Sequence, residues 1–171
     1  PKGYRRSHRS RIDSYKVSAA AFGLSDVDIV LAPGGLAASL HLYGVVHALH
    51  SGATAVMMRQ FHPRRALRLI ARHGVTAIYA TPTQLQMLIE AGGGERFPTV
   101  HLILISGAKW RAETRAATLA LFPKAGVAEF YGASETSFIT LALPEEAVPA
   151  GSVGRAAPGV TLRIRDAAGR D

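Results

Sequence analysis

Phe130-Tyr131-Gly132-Ala133-Ser134-Glu135-Thr136 puts an aromatic ring, a conformationally free glycine, a hydroxyl and a carboxylate within a few consecutive positions. Just upstream, Val127, Ala128, Phe130 and Tyr131 read as the end of a short buried strand. The pattern predicts a strand that stops at Gly132. It then presents Ser134 and Glu135, a hydroxyl donor and an anion, towards one point. Open α/β sheets bind ligands beyond the carboxyl ends of their strands. A flat ring suits a planar ligand such as a base. A carboxylate beside a hydroxyl suits a magnesium ion carrying phosphates, because magnesium takes few protein oxygens and completes its shell with phosphate oxygens. The stretch therefore fits a nucleoside triphosphate site. On its own it also fits an ordinary Tyr-Gly turn in which Ser134 merely opens a loop.

Working outward, helical and strand patterns alternate. Residues 10–21 read as a helix ended by Gly23, and residues 27–32 as a short apolar run stopped by Pro33-Gly34-Gly35. In residues 39–50, Leu42, Val45, Val46 and Leu49 recur at helical spacing, which predicts a buried stripe with Tyr43, His47 and His50 on the opposite face. Residues 53–58 read as a strand. Residues 63–73 read as a helix with Pro63 in its first turn, Ala66, Leu67, Ile70 and Ala71 inward, and Arg64, Arg65, Arg68 and Arg72 outward.

Residues 75–80 predict the next strand. Thr81 then caps a helix, with Pro82 at its first position and Gln84 closing a capping box; Leu85, Leu88 and Ile89 carry its buried face. Residues 102–105 read as a strand, 111–122 as a helix, 127–131 as a strand, and 138–143 and 160–164 as further short strands. Helices of this length between strands predict an α/β fold: a mainly parallel sheet flanked by helices, with extra short strands near the C-terminal end. The loops after Ala80, Ile105 and Tyr131 then leave from one sheet edge. That brings Thr81, Gly107-Ala108 and residues 131–135 around one cleft. Residues 145–150, preceded by Pro144 and containing Pro149, are the best boundary. They divide residues 1–144, an α/β unit, from residues 145–171, the start of a β-rich segment.

Composition narrows the function classes. With no cysteine among its 171 residues, the chain has no disulfide framework, thiolate nucleophile or cysteine metal site. No apolar run approaches a membrane span and no signal-peptide pattern opens the chain, so a cytoplasmic protein is expected. The net charge is +8, and Lys2, Arg5, Arg6, Arg9, Arg11 and Lys16 crowd the first sixteen residues against Asp13 alone. Such a cluster can grip nucleic acid or a membrane surface. It equally describes a solvated helix face beside an anionic ligand. The missing zinc spacing and RNA-binding aromatics favour the latter, and no specific nucleic acid partner is expected. His47 and His50 lie one helical turn apart, but no third ligand completes a zinc set. Ser106 precedes a glycine but lacks a Gly-x-Ser-x-Gly elbow.

Four segments, in order, carry a family resemblance: Pro1-Lys2-Gly3 followed by Ser7-His8; Ile105-Ser106-Gly107-Ala108; Tyr131-Gly132-Ala133-Ser134-Glu135; and Gly151-Ser152-Val153-Gly154-Arg155 with Pro158-Gly159. Together they resemble the AMP-forming acyl-CoA synthetases of the adenylate-forming superfamily and span nearly the whole chain. The resemblance implies that ATP, magnesium, coenzyme A and a small-molecule carboxylic acid are the partners. It implies that Gly107 and Ala108 pack against adenine, Tyr131 stacks on it beside Gly132, Ser134 contacts phosphate, Glu135 holds magnesium and Lys2 closes the phosphate loop. Residues 36–43, 81–84 and 106–110, Thr81 and Ser106 among them, are expected to line the acid pocket.

One feature departs from the family: no histidine stands in residues 33–38, where the family often has one, and His41 comes later, inside the expected helix. The chain opens at Pro1, inside a motif, and reads as a piece of a longer parent whose remainder supplies the rest of the phosphate loop, a ribose-binding aspartate, a hinge and a lysine-bearing C-terminal domain. The piece is not expected to turn over alone. A peptide-synthetase adenylation domain, or a non-catalytic module that binds through its basic N-terminal region, fits the same residues.

Overall fold

The computed structural model describes residues 4–110, 113–146, 148–149 and 151–170. Lys2, and with it the Pro1-Lys2-Gly3 segment, lies outside the described residues. The chain alternates α1 (His8–Phe22), β1 (Ile29–Ala32), α2 (Ser39–His50), β2 (Thr54–Met57), α3 (Pro63–His73), β3 (Ala77–Ala80), α4 (Pro82–Gly92), β4 (Leu102–Ile105) and α5 (Thr114–Leu121). It then turns to strands: β5 (Gly126–Ala133), β6 (Ser137–Ala142) and β7 (Arg155–Ala156). The seven strands form one sheet in the order β2-β1-β3-β4-β5-β6-β7. β1 to β5 pair in parallel, and β6 and β7 join antiparallel. This is the expected mainly parallel sheet with extra strands at its end.

Local chemistry sets the helix ends. Ser7 caps α1 by accepting the Ser10 N–H at 3.2 Å, and Gly23 closes it in the left-handed region, φ 70°. α3 begins with Pro63, whose missing N–H costs nothing in a first turn. α4 has the full capping box. Thr81 Oγ1 accepts the Gln84 N–H at 3.2 Å, and Gln84 Oε1 accepts the Thr81 N–H at 3.0 Å.

Strand residues alternate between two cores. Leu31, Ile78, Ala80, Ile103 and Ile105 pack against Leu67 and Ile70 of α3, Leu85 and Leu88 of α4, and Leu121 of α5. Val30, Ala77, Tyr79, Leu102, Leu104 and Ala128 face the other way, towards Tyr15 and Phe22 of α1, Tyr43 of α2 and Phe138 of β6. Both faces of β1, β3 and β4 are therefore covered, which explains their unbroken apolar runs. Each fully buried Leu or Ile adds about 1.5–3 kcal/mol.

Three expectations need correction. First, α2 buries Tyr43 and His47 and exposes Leu42 and Leu49, the last at 63%. The Tyr43 hydroxyl and both His47 ring nitrogens find partners, so burial does not leave them unpaired. Gly44 lets the helix close on the sheet: a Cβ there would lie 2.8 Å from the Tyr79 ring. Second, β5 does not stop at Gly132. It runs to Ala133 and pairs with β6 through a register shift at Tyr131/Gly132. Third, residues 160–164 form no strand, and Ile164 is 92% exposed. Among the described residues their alternation meets no neighbouring strand, whereas Arg155–Ala156 pairs with Thr140 and Leu141.

Candidate active site

A cavity of about 220 Å³ opens beyond the carboxyl ends of the parallel strands. Thr81 after β3, Ser106 and Gly107 after β4, and Gly132, Ala133 and Ser134 from the end of β5 and the turn that follows line its sheet side. Arg11 from α1 and Ser39, Leu40 and Tyr43 from α2 line its helical side, and Phe130, Ser137 and Phe138 complete it. Five of the expected site residues, Thr81, Ser106, Gly107, Gly132 and Ser134, therefore share one cavity. Ala108, Tyr131 and Glu135 are not among its lining residues. Each is exposed at its rim segments, Tyr131 at 53%.

The β5–β6 turn is tightly specified. The Ala133 carbonyl accepts the Thr136 N–H at 3.2 Å, and Thr136 Oγ1 accepts the Ala133 N–H at 3.3 Å. Gly132 is required by close approach: a Cβ there would lie 1.9 Å from the Ser137 carbonyl oxygen. Ser137 takes a left-handed conformation, φ 67°, the one non-glycine among the described residues to do so. Its hydroxyl is hydrogen-bonded to that of Ser14 on α1.

Ser14 opens a buried hydrogen-bond chain. The Tyr43 hydroxyl donates to the Ser14 carbonyl at 3.0 Å and sits 2.8 Å from Ser18 Oγ. Ser18 Oγ lies 3.2 Å from His47 Nε2, and His47 Nδ1 lies 2.6 Å from the Tyr79 hydroxyl. The neutral ring donates from one nitrogen and accepts at the other, so both Ser18 and Tyr79 hold it in place. Burial, reinforced by the His50 charge, lowers the His47 pKa to about 4. Burial raises Tyr43 to about 12 and Tyr79 well above its ordinary range. At neutral pH this row of hydrogen-bonded side chains is uncharged. With both ring nitrogens of His47 engaged, the His47–His50 pair offers no metal site.

The loop after β1 has no histidine of its own, yet one lies upon it. His41, in the first turn of α2, folds back over Gly34, where a Cβ would lie 2.2 Å from its ring. Its Nε2 hydrogen-bonds Gln84 Oε1 at 3.2 Å, and Gln84 Nε2 donates to the Pro33 carbonyl at 3.2 Å. The capping residue of α4 thus also clamps the loop after β1 and the start of α2.

Glu129 and its pairing with Lys109 escaped the sequence reading. Glu129, buried in β5, accepts from Lys109 Nζ at 2.5 Å and from the Trp110 N–H at 3.1 Å. Lys109 Nζ also donates to the Ser152 carbonyl at 2.5 Å. This pair ties the Ser106–Gly107 loop to β5 and to the segment around Ser152. The available signal was a carboxylate inside the apolar run Val127-Ala128-Glu129-Phe130, since a buried carboxylate needs a partner. Beyond Ser152, Thr140 Oγ1 donates to the Val153 carbonyl at 2.6 Å, and Arg155 pairs with Glu146 at 2.6 Å. Gly154 abuts the Leu141 carbonyl, 2.0 Å from where a Cβ would stand.

A family model described as AMP-binding enzyme matches residues 1–171. The chain belongs to that family. The chain is 36% identical over 170 residues to YhfT of Bacillus subtilis, named an uncharacterized acyl-CoA ligase; the match covers 99% of this chain and 35% of that one. It is 36% identical over 165 residues to VraA of Staphylococcus epidermidis, provisionally named a long chain fatty acid-CoA ligase, covering 96% of this chain and 36% of that one. Among solved structures it resembles the inhibitor-bound N-terminal domain of FACL13 from Mycobacterium tuberculosis, with 25% identity and a TM-score of 0.88, over 99% of this chain and 43% of that one. The chain thus spans about a third of the length of the curated relatives it matches. Among the described residues, no helix is long and apolar enough to cross a membrane, and no three His, Cys, Asp or Glu side chains group to hold a metal ion.

Proposed function

We propose that this chain is the central part of the large domain of an acid–thiol ligase. The full-length protein would join a carboxylic acid to coenzyme A through an acyl-adenylate. The observation that carries this reading is the convergence of Thr81, Ser106, Gly107, Gly132 and Ser134 on one cavity at the carboxyl edge of the sheet, in a chain of the AMP-binding enzyme family. Relatives whose names describe CoA ligases support the thiol.

In this reading the acid lies in the cavity with its carboxylate towards the sheet edge and attacks the α-phosphate of ATP, releasing pyrophosphate. Coenzyme A then displaces AMP. Such substitution relies on positioning and charge neutralisation more than on covalent help from the protein. Gly107 and Ala108 flank the adenine, Tyr131 offers its exposed ring for stacking, and the Ser134 hydroxyl donates to a phosphate oxygen. Lys2 would reach the polyphosphate. Glu135 is exposed at the turn and makes no ion pair among the described residues, so its carboxylate is available to a cation. One free carboxylate beside a phosphate-bearing ligand fits magnesium, which needs few protein oxygens and would neutralise developing phosphate charge. The cavity walls are largely apolar, with Leu40, Phe130 and Phe138, which suits the body of an aromatic or fatty acid.

Acid-dependent pyrophosphate–ATP exchange in a full-length protein carrying this chain, across a panel of fatty and aromatic acids, tests the reading. Exchange is expected only when a suitable acid is present. Glu135→Ala is expected to slow it about a hundredfold, the scale of losing one charge-stabilising group at a reacting phosphate. Near-normal exchange by that variant at saturating magnesium would reduce Glu135 to a surface residue.

A further inference from the structure

Among the described residues that line the cavity, Arg11 is the one charged side chain. It is held there without being neutralised. The Tyr4 hydroxyl accepts its Nη2–H at 3.2 Å and the Tyr4 ring lies 6.0 Å from the guanidinium, both neutral contacts. The described residues give it no carboxylate. A neighbouring cation sharpens the positive potential. Among the described residues Arg6 also has no carboxylate partner; its Nε and Nη2 donate to Ser10, and its Nη1 is buried without a hydrogen bond. Burial, then the charge of Arg11, disfavours the protonated form of Arg6. A guanidinium against an apolar, partly enclosed space is most stable facing an anion that accepts two parallel N–H bonds.

The position of Arg11 decides which end of a ligand it meets. Thr81, Ser106, Gly107 and Ser134 occupy the sheet edge, where the reacting carboxylate is placed in the proposed ligase reading. Arg11 belongs to the helical wall, and with Ser39 and Tyr43 it lines both this cavity and an adjoining one. It therefore stands where the two cavities meet, along the body or far end of the acid. We propose that Arg11 selects acids carrying a second anionic group, with a dicarboxylic acid on a short apolar or aromatic body as the ligand class. This inference rests on the adenylation reading and deepens it. The apolar walls seat the body of the acid, the sheet edge takes the carboxylate that reacts, and Arg11 takes the one that does not.

The test is pyrophosphate–ATP exchange in the full-length protein with matched pairs of acids of equal length, one ending in a methyl group and one in a second carboxylate. The unaltered protein is expected to favour the dicarboxylic member by about 10- to 100-fold in kcat/KM, the scale of a charge-assisted hydrogen-bonded pair. Arg11→Met is expected to erase most of that ratio through KM for the acid, with KM for ATP little changed. Arg11→Glu is expected to reverse it, favouring acids that end in an amine; this gain of a new preference does not depend on how well either variant folds relative to the parent. A ratio unchanged by Arg11→Met, or a fall shared equally by all acids through KM for ATP, would overturn the inference, the second outcome assigning Arg11 to phosphate. Exchange with monocarboxylic acids alone would overturn this inference and leave the ligase reading standing. Absence of exchange with every acid would overturn both.

Discussion

The two faces of the sheet are built from different materials. Towards α3, α4 and α5 the core is mainly aliphatic: Leu67, Ile70, Leu85, Leu88, Ile103 and Ile105 have no polar atom to satisfy beyond the backbone. Towards α1 and α2 it is aromatic and hydrogen-bonded, with Tyr43, His47 and Tyr79 linked through Ser14 and Ser18, and the Tyr15 ring packed against Tyr43 and His47. The aliphatic face depends on volume alone and its packing is indifferent to pH. The polar face depends on donors and acceptors in a fixed order, and that order ends at Ser137, on the cavity. Specificity is concentrated near the cavity: the face that borders it carries the directional contacts, and the remote face supplies the non-directional burial.

Truncation on the aliphatic face should give the largest effect. Leu88 is fully buried in α4, and Leu88→Ala is expected to cost about 2–5 kcal/mol, the range for a buried leucine cut to alanine. Denaturant unfolding at pH 7 and pH 5 checks it. The loss should be the same at both values; a loss that differs with pH would break the contrast between the faces.

Acid should act on the other face. His47 ordinarily protonates near pH 6.5 but, buried in the fold, only near 4. As pH falls between these values the unfolded chain takes up a proton that the folded chain does not. Stability is thus fully present above about 6.5 and declines towards 4, by about 3 kcal/mol for a shift of this size. Below about 4 this group costs nothing further. Denaturation midpoints across pH 7 to 4 should trace that decline, and His47→Gln, which cannot titrate, should flatten the slope whatever its stability at pH 7. An equal slope in the variant would place the sensitivity elsewhere.

The contrast also explains which parts of the molecule were readable in the sequence. The aliphatic side follows from hydrophobic spacing and end signals: Pro63 and Gly74 bound α3, and Thr81 with Gln84 opens α4 as the capping box requires. On the polar side the same rule misassigned α2. Spacing assumes that leucine goes in and histidine goes out, and only the positions of Ser18 and Tyr79, far off in sequence, make His47 a core residue. The site divides the same way. Thr81, Ser106 and Gly107 follow from strand ends, because a parallel sheet delivers its loops to one edge. Ser39, Leu40 and Tyr43 fall within residues 36–43, expected to line the pocket because they follow the loop after β1, whereas Arg11 comes from a helix face whose approach to the cavity depends on packing across elements. Glu129 was visible as an anomaly in an apolar strand, but its partner Lys109 was not, since nothing local points one to the other.

Gln84 joins the two faces, and its loss should give the smallest effect. It belongs to α4 on the aliphatic side. Its Oε1 accepts from Thr81 N–H at 3.0 Å and from His41 Nε2 at 3.2 Å, and its Nε2 donates to the Pro33 carbonyl at 3.2 Å. His41 belongs to α2 on the polar side. Gln84→Ala should remove the reciprocal half of the capping box and leave the buried His41 Nε2–H unpaired. The expected cost is about 1–2 kcal/mol, because exposed cap groups can turn to water while the buried imidazole cannot. Gln84→Glu keeps the acceptor for Thr81 and His41 but loses the donor to Pro33, so it should recover part of the loss. A double-mutant cycle with His41→Ala isolates the cross-face term, and a coupling of at least about 0.5 kcal/mol is expected for side chains in direct contact. A coupling of zero would mean that α4 is capped independently of α2, and that the two faces meet at Gln84 without supporting one another.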